Sequence, residues 1–181
     1  MPHVQLNKAQ LKTLESFVSG KVVHDLGAGD LGLALELLKL GAAKVIAIDK
    51  EYNRIDKKGW LNFQNLPPEI EIRHQYFQDM DESIDIAFVS WPANYENGLL
   101  NVLKQTKTIL YLGKNTDGYA CGTPALFEYL VTRKIEAQVP SRQNTLICYT
   151  DYLDEPRQWL QEEEAAIAMN SGSHPVDYIG E

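Results

Sequence analysis

The chain has 181 residues, 44% hydrophobic and 23% charged, enough for one domain with a real core and the composition of an ordinary folded protein. No apolar stretch is long enough to span a bilayer, which excludes a membrane-spanning helix, and the first residues lead into no apolar signal segment. Lys+Arg 17 against Asp+Glu 25 gives a net charge of −8, which disfavours an extended grip on nucleic acid, since that needs a cationic surface.

Two cysteines, Cys121 and Cys148, are too few for a disulfide framework or a four-cysteine zinc site. A reduced, cytoplasmic protein is the natural expectation. Lys44, Lys50, Arg54, Lys57 and Lys58 lie close together and form either a solvated helix face or a local basic patch. The four histidines, His3, His24, His74 and His174, are scattered without metal-ligand spacing, so no metal is expected.

Residues 7–18 place Leu11, Leu14, Phe17 and Val18 at helical spacing and close at Gly20. A short strand over 21–25 ends on an acid. Asp30 can cap the next helix, whose Leu31, Ala34, Leu35 and Leu38 form an apolar stripe widened by Leu33, Leu37 and Leu40, with Gly41 as the stop. A second strand, 44–49, again ends on an acid. A helix is predicted over 53–63, and Pro67-Pro68 breaks the chain. Strands follow over 69–76, 84–90 and 108–112, with a short helix over 96–105 between the last two. Thr123-Pro124 marks a helix start whose core face is Leu126, Phe127, Leu130 and Val131.

Strands over 135–139 and 144–149 are separated only by 140–143, too short for a parallel crossover, so they form an antiparallel hairpin or leave the sheet. A terminal helix is expected over 156–169 and a loose tail over 170–181, with residues 1–169 forming one domain. Alternating strands and helices indicate an α/β protein: a three-layer, Rossmann-like sandwich.

The strongest local signal is Asp25-Leu26-Gly27-Ala28-Gly29-Asp30-Leu31-Gly32 between a strand and a helix. Gly27 and Gly29 permit a tight turn in which backbone faces a ligand, and the helix start offers N–H groups. Gly27, Gly29 and Gly32 also match the dinucleotide fingerprint, and Asp49 could hold a ribose hydroxyl pair in either case. Asp25 discriminates: a carboxylate there suits an ammonium-bearing ligand and repels a pyrophosphate unless turned away or solvated; alternatively it is a hydrogen-bonded strand end.

The segment resembles the first motif (acid-x-Gly-x-Gly) of the S-adenosylmethionine-dependent methyltransferases, and Ile46-Ala47-Ile48-Asp49 resembles the second. It departs from the motif where a third glycine commonly stands, which here is Leu31. The resemblance covers 11–149 and implies a mostly parallel seven-stranded sheet whose last strand enters antiparallel between the fifth and sixth. It also implies S-adenosylmethionine as cofactor, held by Asp25, Gly27, Ala28, Gly29, Asp49, Lys50, Asp79 and Ser90.

In this plan Asp79 meets the adenine amino group with Phe77 as a wall for the ring; alternatively Asp79 is a turn acid. Ser90-Trp91-Pro92-Ala93-Asn94-Tyr95 is similar in part to the Asn/Asp/Ser-Pro-Pro-Tyr motif of amino-group methyltransferases, with Ser90 and Pro92 in place and Trp91 and Ala93 not. Ser90, Trp91, Pro92 and Asn115 are the catalytic candidates; alternatively the segment is a loop in which Trp91 and Tyr95 cover the end of the sheet. The polar loop Lys114-Asn115-Thr116-Asp117 binds a polar acceptor or is a solvated turn. His24 reads as a packed strand residue, Cys121 as a small residue before a helix, and Cys148 as core.

The resemblance thus implies methyl transfer to an unidentified acceptor, a small molecule or protein more than nucleic acid. Two other readings stand beside it. An NAD(P)-binding oxidoreductase fits the glycines but not Asp25 or the hairpin, and a methyltransferase-like scaffold would bind without catalysis.

Overall fold

The computed structural model describes residues 6–50, 65–92, 98–114 and 122–153. The helices expected over 53–63 and 156–169, the 170–181 tail, Ala93, Asn94, Tyr95, Asn115, Thr116, Asp117 and Cys121 lie outside these residues.

Asn7 starts α1 (Lys8–Val18) through a reciprocal cap: its Oδ1 accepts from the Gln10 N–H at 2.9 Å, and Gln10 Oε1 accepts from the Asn7 N–H at 3.1 Å. Gln10 is buried, because its Nε2 donates to Asn144 Oδ1 at 2.8 Å and to the Val139 carbonyl at 3.1 Å. That polar pair docks the helix on the closing hairpin. The chain continues as β1 (Val22–Leu26), α2 (Gly32–Lys39), β2 (Lys44–Ile48), β3 (Ile70–Arg73), a 3-10 turn (Phe77–Asp79), β4 (Ile84–Ser90) and α3 (Leu99–Lys104). It ends with β5 (Thr106–Gly113), α4 (Pro124–Leu130), β6 (Arg133–Pro140) and β7 (Thr145–Tyr152).

The seven strands run in the order β3-β2-β1-β4-β5-β7-β6. Pairing is parallel from β3 to β5, and β7 is antiparallel to both β5 and β6. The architecture is the expected Rossmann-like α/β sandwich. One face is covered by α1 and α2, where Leu14, Val18, Leu31, Ala34 and Leu37 pack on Val23, Val45, Ala47, Phe88 and Leu110. On the other, Leu99, Val102 and Leu103 of α3 and Leu126, Phe127 and Leu130 of α4 cover Leu26, Ile48, Val89, Ile109 and Tyr111.

Two local expectations need correction. The third strand covers only Ile70–Arg73, because as an edge strand it gains ladder bonds from β2 alone. The apolar stripe at α2 holds, with Leu31, Ala34 and Leu37 fully buried at its centre and Leu33, Leu35, Leu38 and Leu40 half-buried against the same core. The helix before β5 starts at Leu99, after Gly98. That glycine has φ +87°, and a Cβ on it would lie 2.4 Å from the Gln78 backbone nitrogen, so no side chain fits there. Thr123 caps α4 as expected, accepting from the Leu126 N–H at 3.2 Å.

Candidate functional site

The order of a doubly wound sheet reverses between β1 and β4, and ligands of such folds bind at the strand carboxyl ends there. Leu26 is in register with Ile48 of β2 and Val89 of β4. The register therefore brings Asp25 to Asp30, Asp49-Lys50 and Ser90-Trp91-Pro92 to one crevice. Asp79 is exposed on the 3-10 turn beyond β3, and Phe77 is taken up by the core.

The loop after β1 is a run of left-handed turns: Gly27 has φ +79°, Gly29 +53° and Leu31 +60°. A Cβ at Gly27 would meet no atom of the described residues within 4 Å, so the loop lines open space among them. Leu31 takes a left-handed conformation that glycine adopts freely, and its wholly buried side chain offsets the roughly 1–2 kcal/mol of αL strain. The displaced glycine of the motif thus leaves the turn intact.

Most amide donors of this loop are already used. The Gly27 and Ala28 N–H groups donate to the Ile48 carbonyl at 2.8 and 3.1 Å, and Leu31 donates to the Ala28 carbonyl at 2.9 Å. The Gly29 N–H donates to Asp49 Oδ2, and the Gly32 N–H to Asp30 Oδ1, each at 3.0 Å. A pyrophosphate binds such a loop through those amides. Here two are capped by carboxylates, which weighs against the dinucleotide reading.

Asp25 is 1% exposed, and its Oδ2 has no hydrogen-bond partner among the described residues. Burial first, then the charges of Asp49 and Asp30, push its pKa up to about 7. A buried carboxyl without a donor favours its protonated form or a cation beside it. Asp49 is half-buried, and its own N–H donates to the Arg73 carbonyl at 3.2 Å.

Across the crevice, Trp91 has φ +48° and donates its N–H to the Leu112 carbonyl at 2.8 Å. Among the described residues Leu31 and Trp91 are the non-glycine residues with positive φ, and both border the reversal point. Backbone strain of this kind gathers at functional sites. At the end of β5, the Tyr111 hydroxyl donates to the Lys114 carbonyl at 2.6 Å and fixes the start of the polar loop. Neither the strained backbone at these two residues, nor Asp30 as a neighbour of Asp25, is singled out by the sequence pattern as part of a ligand site.

Other candidates fall outside the crevice. By strand alternation His24 sits on the opposite face from Asp25, buried beside Glu82 at 3.8 Å, and burial lowers its pKa. Cys148 is core, its thiol pushed up to about 12 by burial. Lys44 is ion-paired with Glu71 at 2.5 Å rather than part of a basic patch, and Arg54, Lys57 and Lys58 lie outside the described residues. Among the described residues no group of three His, Cys, Asp or Glu side chains is placed to hold a metal. No helix among them is long and apolar enough to cross a membrane.

No protein-family model and no curated protein matches the sequence. Solved structures do match the fold. A candidate RNA methyltransferase from Pyrococcus horikoshii superposes with a TM-score of 0.60 at 16% identity, over 79% of this chain and 82% of that one. TrmK of M. capricolum, solved with S-adenosylhomocysteine, gives 0.58 at 13% identity, over 97% and 91%. Magnesium protoporphyrin IX methyltransferase from Synechocystis, also with S-adenosylhomocysteine, gives 0.54 at 13% identity, over 82% and 89%. The chain shares the class I methyltransferase fold. These neighbours differ in acceptor, so the fold fixes none.

Proposed function

We propose that the protein is an S-adenosylmethionine-dependent methyltransferase. The observation that carries this reading is Asp25, a buried carboxyl with a bare Oδ2 at the mouth of an open glycine loop. Such a group suits the ammonium of the methionine part and repels a phosphate. The open space at Gly27 is a cradle that any Cβ would fill. Asp49 would take the ribose hydroxyls, since a carboxylate offers about four acceptor sites and Gly29 takes one of them. Gly29 and Ala28 would line the same loop, with Lys50 and Ser90 flanking and Asp79 reaching the adenine amino group. Neighbours of the same fold solved with S-adenosylmethionine or its product support the assignment.

The cofactor supplies an activated methyl group on a sulfonium, so the protein needs no strong acid–base pair. What its residues must do is align an acceptor and exclude water. Ser90, Trp91 and Pro92 border the crevice from β4, and the loop that starts at Gly113-Lys114 and continues through Asn115 leaves β5 at the same edge. The acceptor would lie between them. A small molecule or a protein fits the net charge of −8 better than nucleic acid does.

Calorimetric titration of the purified protein with S-adenosylmethionine, S-adenosylhomocysteine and NADH tests the reading. Binding of the first two is expected; tight NADH binding with no response to them would sink it. Once an acceptor is known, Trp91→Ala and Asn115→Ala should slow turnover and leave cofactor affinity nearly unchanged.

A further inference from the structure

We infer that Asp25 is held as the neutral acid in the ligand-free protein and gives up its proton when an ammonium-bearing nucleoside binds, so that affinity rises with pH through neutrality. The inference rests on the cofactor reading above and adds a proton to it.

The argument starts from what surrounds the carboxyl. The loop amides at Gly27, Ala28, Gly29, Leu31 and Gly32 are bound to Ile48, Asp49, Ala28 and Asp30, and none of them serves Asp25. Among the described residues, the charged groups that act on it are carboxylates, Asp49 at the end of β2 and Asp30 in its own loop. β4 presents Phe88 in register with it, and His24 lies on the other face of β1. A charge on this wholly buried carboxyl is disfavoured first by its own desolvation and then by the two half-exposed carboxylates near it, so it is resolved by protonation, and the pKa of about 7 agrees. An arriving ammonium reverses that balance. The Asp25 O–H bond breaks, the proton goes to solvent, and the carboxylate pairs with the ammonium. One proton leaves per ligand bound.

The test is calorimetry of S-adenosylhomocysteine binding at pH 6.0 and pH 8.5, each in two buffers of different ionisation enthalpy, with adenosine as the ligand that lacks the ammonium. About 0.9 proton should be released at pH 6.0 and almost none at pH 8.5, given the pKa of about 7. Affinity should fall about tenfold between pH 8 and pH 6 by the same linkage. Adenosine should bind without proton release, and Asp25→Asn should abolish the release seen with S-adenosylhomocysteine. Binding of S-adenosylhomocysteine with no proton release, or equal release with adenosine, overturns the inference and leaves the cofactor reading standing. Failure of both ligands to bind at either pH overturns the cofactor reading, and the inference with it.

Discussion

Arg133 and Asp25 are both buried almost completely, at opposite ends of the sheet, and the fold treats them in opposite ways. Arg133, 2% exposed at the start of β6, gives its guanidinium to the carbonyls of Thr150, Thr106 and Lys107 and to the Tyr129 hydroxyl. The Tyr152 ring lies 4.6 Å from it. Asp25, 1% exposed at the other end, keeps a bare Oδ2 beside two further carboxylates. A buried charge with its hydrogen-bonding capacity engaged fastens strands together. One left short of donors weakens the fold unless a ligand completes its shell.

The contrast is open to attack by mutation. Arg133→Leu strands three carbonyls and a hydroxyl and should cost about 3–5 kcal/mol in urea unfolding at pH 7. A loss below about 1 kcal/mol would show that the clamp is ornamental.

Asp25→Asn should move stability the other way. The folded pKa of about 7 lies above the ordinary carboxyl value of 3.8, so the parent loses stability as pH rises from about 4 to 7. The amide variant escapes that loss and should be the more stable form at pH 8, by up to about 4 kcal/mol, with the gap closing toward pH 4. Unfolding curves at pH 5 and pH 8 check this; a constant difference between parent and variant contradicts it.

Asp49→Ala should leave the Arg133 end untouched and weaken S-adenosylhomocysteine binding by about 1.5–3 kcal/mol, the worth of charge-assisted hydrogen bonds. Equal affinity of variant and parent removes Asp49 from the ribose role. The smallest effect belongs to Tyr152→Leu, which strips the exposed ring from Arg133 and should cost about 0.5–1 kcal/mol in the same urea assay.

The fold was readable because its decisive features are local. Residues 140–143 are too few for a crossover, so chain length leaves β6 and β7 only an antiparallel pairing or a place outside the sheet, and they pair. The caps at Asn7 and Thr123 are written in side chains that bond within three residues. The acid and glycines of the crevice are legible for the same reason.

Arg133 was not. Its named partners are mostly backbone carbonyls, which leave no trace in residue identity, and the strand pattern Arg-Lys-Ile-Glu reads as an ordinary surface start. The left-handed backbone at Leu31 and Trp91 was hidden too, because sequence rules expect glycine there. Burial of Gln10 depends on Asn144, which reaches it only after the whole sheet has formed.

The central claim is that Asp25 is the ammonium site of an adenosylmethionine crevice. A crystal structure of the protein with S-adenosylhomocysteine tests it most directly. The account predicts the ligand's ammonium about 3 Å from the Asp25 carboxylate, with the ribose hydroxyls on Asp49. A nucleoside seated elsewhere, or one in the crevice that leaves Asp25 Oδ2 without a partner, would contradict it.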